Sequence, residues 1–157
     1  MDKPQRSSPG YFVHLLIATF FGSGFLPAIP GTWGSLFTAL LIWFLPSIPW
    51  GFEFVILIAI FFLGVRSSTQ VERVSQSTDP GYIVIDEFIG MALVLMTVPK
   101  SFVLYLFAFL LFRIFDIVKP APVNQLQDLP EGWGVMVDDV VAGIYAIIVL
   151  QLGRLIF

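Results

Sequence analysis

Seven charged residues stand out in the second half of an otherwise apolar chain: Asp86, Glu87, Arg113, Asp116, Lys119, Asp138 and Asp139. Carboxylates beside hydrocarbon are costly unless they are paired, hydrated or ligated. Five brought together repel one another unless cations neutralise them. Only two cationic side chains are in register to do so. At about 100° per residue, Arg113, Asp116 and Lys119 share one helical arc of roughly 120°. A hard divalent cation answers the remaining charge, because carboxylate oxygens are the ligands Mg2+ takes, with waters and substrate phosphate completing its shell. Arg113 as a fork and Lys119 as a point charge then suit a phosphate ester. Asp86, Glu87, Asp116, Asp138 and Asp139 are therefore the candidate metal ligands, and Arg113 and Lys119 the candidate phosphate-binding residues.

The elements that must gather these residues follow from composition. Of 157 residues, 57% are hydrophobic and 12% charged, with a mean hydropathy of +0.91; a soluble domain carries about 25% charged residues. This excludes a disordered chain, a nucleic-acid binder and an ordinary cytosolic enzyme. It implies an all-α polytopic membrane bundle of five to six short segments, one domain over 1–157 with a polar tail at 1–10. With no cysteine, disulfides, thiolate metal sites and cysteine nucleophiles are excluded. The basic tail and following apolar run loosely resemble a signal peptide but lead to no clear small-residue cleavage site, so the segment is expected in the mature fold.

Hydrophobic runs between Pro, Gly and polar punctuation predict segments at 11–26, 35–45, 52–65 (continuing as a polar helix through 66–77), 83–98, 102–118 and 140–157, with a polar loop at 121–137. The first, broken by glycine and proline, either crosses or is re-entrant. The positive-inside bias places loops 66–82 and 116–137 in the cytoplasm and Lys100 and Arg154 on the far side. Lys3 and Arg6 join the cytoplasmic majority if segment one is re-entrant. Alternating crossings then bring all five carboxylates to one membrane face.

Small residues follow the acids: Gly90 after Asp86 and Glu87, and Ala142 and Gly143 after Asp139. Such residues let helices approach closely. The run PGTWGS at 30–35 opens a helix with backbone N–H groups and the hydroxyls of Thr32 and Ser35, a candidate anion cradle. Structural readings compete with each assignment. Asp138 alone reads as a helix cap, Asp86 and Glu87 as a solvated helix start, and Arg113–Asp116 as an i,i+3 pair; convergence of all three on one face favours chemistry. His14 reads as a packed or interfacial residue, and the four tryptophans as interfacial anchors. Asp79 before Pro80 and Gly81 reads as a turn residue, Asp128 and Glu131 as solvated loop acids, and Glu53 lies on the opposite face.

Four motifs occur in order: GSG at 22–24 with PGTWGS at 30–35, YIVIDEFIG at 82–90, FRIFDIVKP at 112–120 and GVMVDDVVAG at 134–143. Together, from about His14 to Gly143, they resemble the bacterial phosphatidylglycerophosphatase A family. The resemblance implies a Mg2+-dependent integral membrane phosphatase of the cytoplasmic (inner) membrane that hydrolyses phosphatidylglycerol phosphate to phosphatidylglycerol and inorganic phosphate. A histidine-pair or cysteine mechanism is impossible with one histidine and no cysteine, and no Asp-x-Asp-x-Thr signature occurs. A metal-activated water is the expected nucleophile, with Asp138 or Asp139 taking its proton and Arg113 and Lys119 stabilising the phosphoryl oxygens. Attack by an Asp carboxylate stays open, as does the choice of one or two metals. The competing functions are another membrane phosphoryl-transfer enzyme and a cation or proton transporter, which would place acids near the midplane.

Overall fold

Proline marks where helices begin. Pro9 opens α1 (Pro9–Ala18), Pro30 opens α2 (Pro30–Phe44) and Pro49 precedes α3 (Trp50–Ser75). Its missing N–H costs nothing in a first turn, and its fixed φ suits the helix. Ends are marked by left-handed residues: Gln76 after α3 and Lys119 after α5 (Phe102–Val118). In this computed structural model, which describes residues 8–156, the remaining elements are a 3₁₀ turn (Ser23–Phe25), α4 (Ile85–Leu95), a short α6 (Val123–Leu126) and α7 (Gly132–Ile156). The described residues contain no strand, so the expected all-α class holds. Met1 to Ser7, with Lys3 and Arg6 among them, lie outside the described residues.

The bundle is built around α4, nine of whose eleven residues are buried. The α2, α3, α5 and α7 helices pack around it. Its contact with α7 is the most extensive. A Cβ at Gly143 would lie 2.9 Å from the Gly90 carbonyl, and one at Gly90 would lie 2.5 Å from the Phe112 ring. These are two of the small residues expected to draw the acidic ends together. The outward surface is apolar, with Phe52, Val55, Phe62, Phe102 and Ile117 all more than half exposed. Such an envelope suits lipid. Among the described residues two helices, α3 and α7, are long and apolar enough to cross a membrane.

Three boundaries differ from the sequence expectation. The 11–26 segment ends its helix at Ala18; α1 has ten residues, about 15 Å against a hydrocarbon thickness of about 30 Å, so it does not cross. Its chain turns back through Phe20, Phe21 and Gly22, all at positive φ, and the Ala18 carbonyl accepts the Val84 N–H at 2.9 Å. The α2 helix starts at Pro30 rather than 35. The α7 helix starts at Gly132 rather than 140, which shortens the expected loop and leaves α6 within it. Residues 132–139 are helical because they pack: Gly132, Gly134, Val135, Met136, Asp138 and Asp139 are buried, and the Gly132 N–H donates to Thr69 Oγ1 of α3 at 3.2 Å.

Candidate metal and phosphate site

The start of α4, the end of α5 and the second turn of α7 meet at one end of the bundle. The first turn of α4 supplies Asp86 and Glu87, α5 supplies Arg113 and Asp116 with Lys119 as its C-cap, and α7 supplies Asp138 and Asp139. All five expected carboxylates converge here. Four of them, Asp86, Asp116, Asp138 and Asp139, are no more than 8% exposed. Because α7 begins six residues before Asp138, that residue is not a helix cap.

The five acids divide into two kinds. Asp86, Glu87 and Asp139 each place one carboxylate oxygen within 4.8 Å of the others. Each also has a buried oxygen with no hydrogen-bond partner: Asp86 Oδ1, Glu87 Oε2 and Asp139 Oδ2. Asp116 and Asp138 are instead held by cations. Arg113 Nη1 lies 2.5 Å from Asp116 Oδ2 and 3.7 Å from Glu87 Oε1, and Lys119 Nζ donates to Asp138 Oδ2 at 2.6 Å. Asp138 Oδ1 accepts the Asp139 N–H at 2.9 Å. Arg113 Nε is a buried donor without a partner. Unsatisfied buried groups are rare because each forfeits its hydration; here unsatisfied acceptors and an unsatisfied donor lie in one cluster. Three hard oxygen donors are the ligand type that Mg2+ takes, and the group could hold a metal ion.

The first turn of α2 closes one side. A Cβ at Gly31 would collide with the Glu87 carboxylate and crowd Arg113, so a larger residue there would displace the Glu87 carboxylate. Ser35 is fully buried; its hydroxyl donates to the Gly31 carbonyl at 2.9 Å and lies 3.5 Å from Arg113 Nη1. Ser35 thus sits beneath the guanidinium. Thr32 is half-buried in the same turn, its N–H bonded to the Ile29 carbonyl at 3.0 Å.

Other expected residues fall as follows. Asp79 occupies a turn with φ 43°. Its carboxyl is raised above the usual range, chiefly by desolvation, with Lys119 opposing and Asp116 adding to the shift. Glu131 is exposed and paired with Arg73 at 2.6 Å. His14 is half-buried, with Nδ1 3.1 Å from Ser67 Oγ. Sequence reasoning missed Glu72, buried near the end of α3, whose Oε1 accepts the Asp79 N–H at 2.8 Å. The only signal was its spacing of four from Ser68, which is also buried.

The family model for phosphatidylglycerophosphatase A matches residues 16–154. A Haemophilus influenzae protein named phosphatidylglycerophosphatase A is 43% identical over 88% of this chain and 86% of its own. An Escherichia coli protein of the same name is 39% identical over 82% and 76%. A Bacteroides thetaiotaomicron protein, whose name carries a provisional phosphatidylinositol-3-phosphatase assignment, is 38% identical over 91% and 94%. No solved structure matches the chain. With the match spanning all four motifs and every residue of the acidic cluster, the chain belongs to the phosphatidylglycerophosphatase A family.

Proposed function

We propose that this chain is a multi-pass membrane phosphatase that hydrolyses phosphatidylglycerol phosphate to phosphatidylglycerol and inorganic phosphate, with Mg2+ held by Asp86, Glu87 and Asp139. The observation that carries this reading is the pairing of orphaned acceptors with an orphaned donor, Arg113 Nε, in one buried cluster. A phosphate monoester and its metal satisfy both kinds at once. The names of the Haemophilus and Escherichia relatives support the substrate. When bound, the ion supplies neutralising charge and a lowered pKa for water.

The chain's own residues do the rest. Asp116 and Ser35 fix the Arg113 guanidinium, leaving Nε to donate to a phosphoryl oxygen. Lys119 exchanges Asp138 for a second phosphoryl oxygen, and both cations stabilise charge in the transition state. That exchange frees Asp138 Oδ2 to take a proton from the attacking water. The water oxygen bonds to phosphorus as the bond from phosphorus to the glycerol oxygen breaks, and that oxygen leaves carrying the proton that Asp138 took from the water. Thr32 offers a further hydroxyl from the first turn of α2. Arg66, Arg73, Arg113 and Lys119 share the acidic end while Lys100 and Arg154 occupy the other, which favours a cytoplasmic site in a bacterial inner membrane.

The test is phosphate release by the purified full chain from phosphatidylglycerol phosphate and from phosphatidylinositol 3-phosphate in mixed micelles with Mg2+. A preference of about tenfold or more in kcat/KM for the former is expected. The reverse preference would replace the substrate, and release from neither would overturn the phosphatase reading.

A further inference from the structure

We propose that Glu72 is a positioning residue: through the Asp79 N–H it fixes the 76–84 strap, and through the strap the acidic first turn of α4. The α4 helix needs such an anchor, because its N-cap residue, Val84, makes no side-chain capping bond. Nothing in the helix itself therefore sets where Asp86 and Glu87 begin. The strap is held instead at its two ends. At the far end the Val84 N–H donates to the Ala18 carbonyl at 2.9 Å, and Tyr82 stacks on Phe25 at 5.5 Å. At the near end Glu72 acts twice. Its carbonyl accepts the Gln76 N–H at 2.8 Å, and its carboxylate Oε1 accepts the Asp79 N–H at 2.8 Å. Gln76 and Asp79 both have left-handed backbones, at φ 57° and 43°. Such conformations persist in residues other than glycine where neighbouring structure over-determines them.

Glu72 is 7% exposed, and its second oxygen, Oε2, is buried without a partner. No cation within the described residues pairs with it. The contact thus needs an acceptor at Oε1 and no negative charge. Glutamine supplies the same acceptor, so Glu72→Gln separates this role from proton transfer and from neutralising a cation's charge, both of which require a carboxylate. Asn tolerates a left-handed φ and keeps the backbone N–H, so Asp79→Asn separates the backbone contact from the Asp79 carboxylate.

The inference rests on the proposed phosphatase for its catalytic consequence but not for its structural one. The experiment uses the full chain in detergent and reads hydrogen exchange over residues 79–87 beside kcat, KM and the Mg2+ concentration for half-activation. Glu72→Ala should speed exchange over 79–87 by about tenfold while leaving α5 and α7 unchanged. It should lower kcat by about tenfold and raise the Mg2+ requirement, with lipid KM moving less than about twofold. Glu72→Leu, which fills the volume without an acceptor, should behave the same way and stands in if the alanine variant does not fold. Glu72→Gln and Asp79→Asn should match wild type in every readout. The proposal is overturned if Glu72→Gln is as impaired as Glu72→Ala, if the alanine and leucine variants leave exchange unchanged, or if Asp79→Asn falls as far as Glu72→Ala. A wild type that releases no phosphate would sink the phosphatase reading, and the exchange arm would still decide the strap.

Discussion

The two ends of the bundle treat charge in opposite ways. At the end away from the acids, Lys100 Nζ donates to the Trp43 carbonyl at 3.2 Å and to the Leu45 carbonyl, closing the C-terminus of α2. Arg154 reaches the Thr97 carbonyl at 3.5 Å and Gln151 Oε1 at 3.0 Å, and Gln151 Nε2 donates to the same carbonyl at 2.9 Å. Glu53 sits in the first turn of α3, where a negative charge complements the helix dipole. These groups finish helices. At the acidic end, six buried side-chain atoms lack any partner: Ser68 Oγ, Glu72 Oε2, Asp86 Oδ1, Glu87 Oε2, Arg113 Nε and Asp139 Oδ2. No such atom occurs at the other end among the described residues. Charge that is satisfied by backbone stabilises the fold; charge left unsatisfied at a cost, at Asp86, Glu87, Asp139 and Arg113, is arranged for something that arrives.

That contrast can be broken by substitution. The largest effect is expected at Asp86, where Asp86→Asn keeps shape and removes charge; kcat for phosphate release should fall by about 1,000-fold while thermal stability holds or rises, because a buried like-charge repulsion is relieved. Arg113→Lys, which keeps the charge but loses the fork and Nε, should cost about 100-fold in kcat/KM. Gly90→Ala sharpens the comparison from the packing side. Its Cβ would meet Phe112 and the Asp139 carbonyl, so a melting experiment should show a loss of about 1–3 kcal/mol, with activity falling as α4 and α7 separate. Smallest is Lys100→Ala, which should cost about 1 kcal/mol of stability and leave kcat/KM within about twofold of wild type. A large loss of activity there would dissolve the distinction between the two ends.

Legibility in the sequence followed how local each feature is. The α5 boundaries were readable to the residue because Ser101 precedes the apolar run and Lys119 and Pro120 end it. The start of α7 was not. Gly132, Gly134, Asp138 and Asp139 are poor helix formers, and what makes the run helical is its packing on α3 at Thr69, a contact no local pattern announces. The members of the site were conspicuous as charges in an apolar chain. Their division was hidden: which acids cluster and which pair with cations depends on helix rotation and on the close crossing at Gly90 and Gly143. Ser35 was readable as a hydroxyl near an anion site but not as a support beneath Arg113. Glu72 was hidden because a polar helical extension looks solvated until its partner loop folds over it.

The proposed role of Asp86, Glu87 and Asp139 is to hold a metal ion for phosphate ester hydrolysis. Its most direct test is phosphate release from phosphatidylglycerol phosphate by wild type and Asp139→Asn, each with Mg2+ and with excess EDTA. Release from wild type should be abolished by EDTA and restored by Mg2+, and it should fall by about 100-fold or more in the variant. Release that persists in EDTA and in the variant would contradict it.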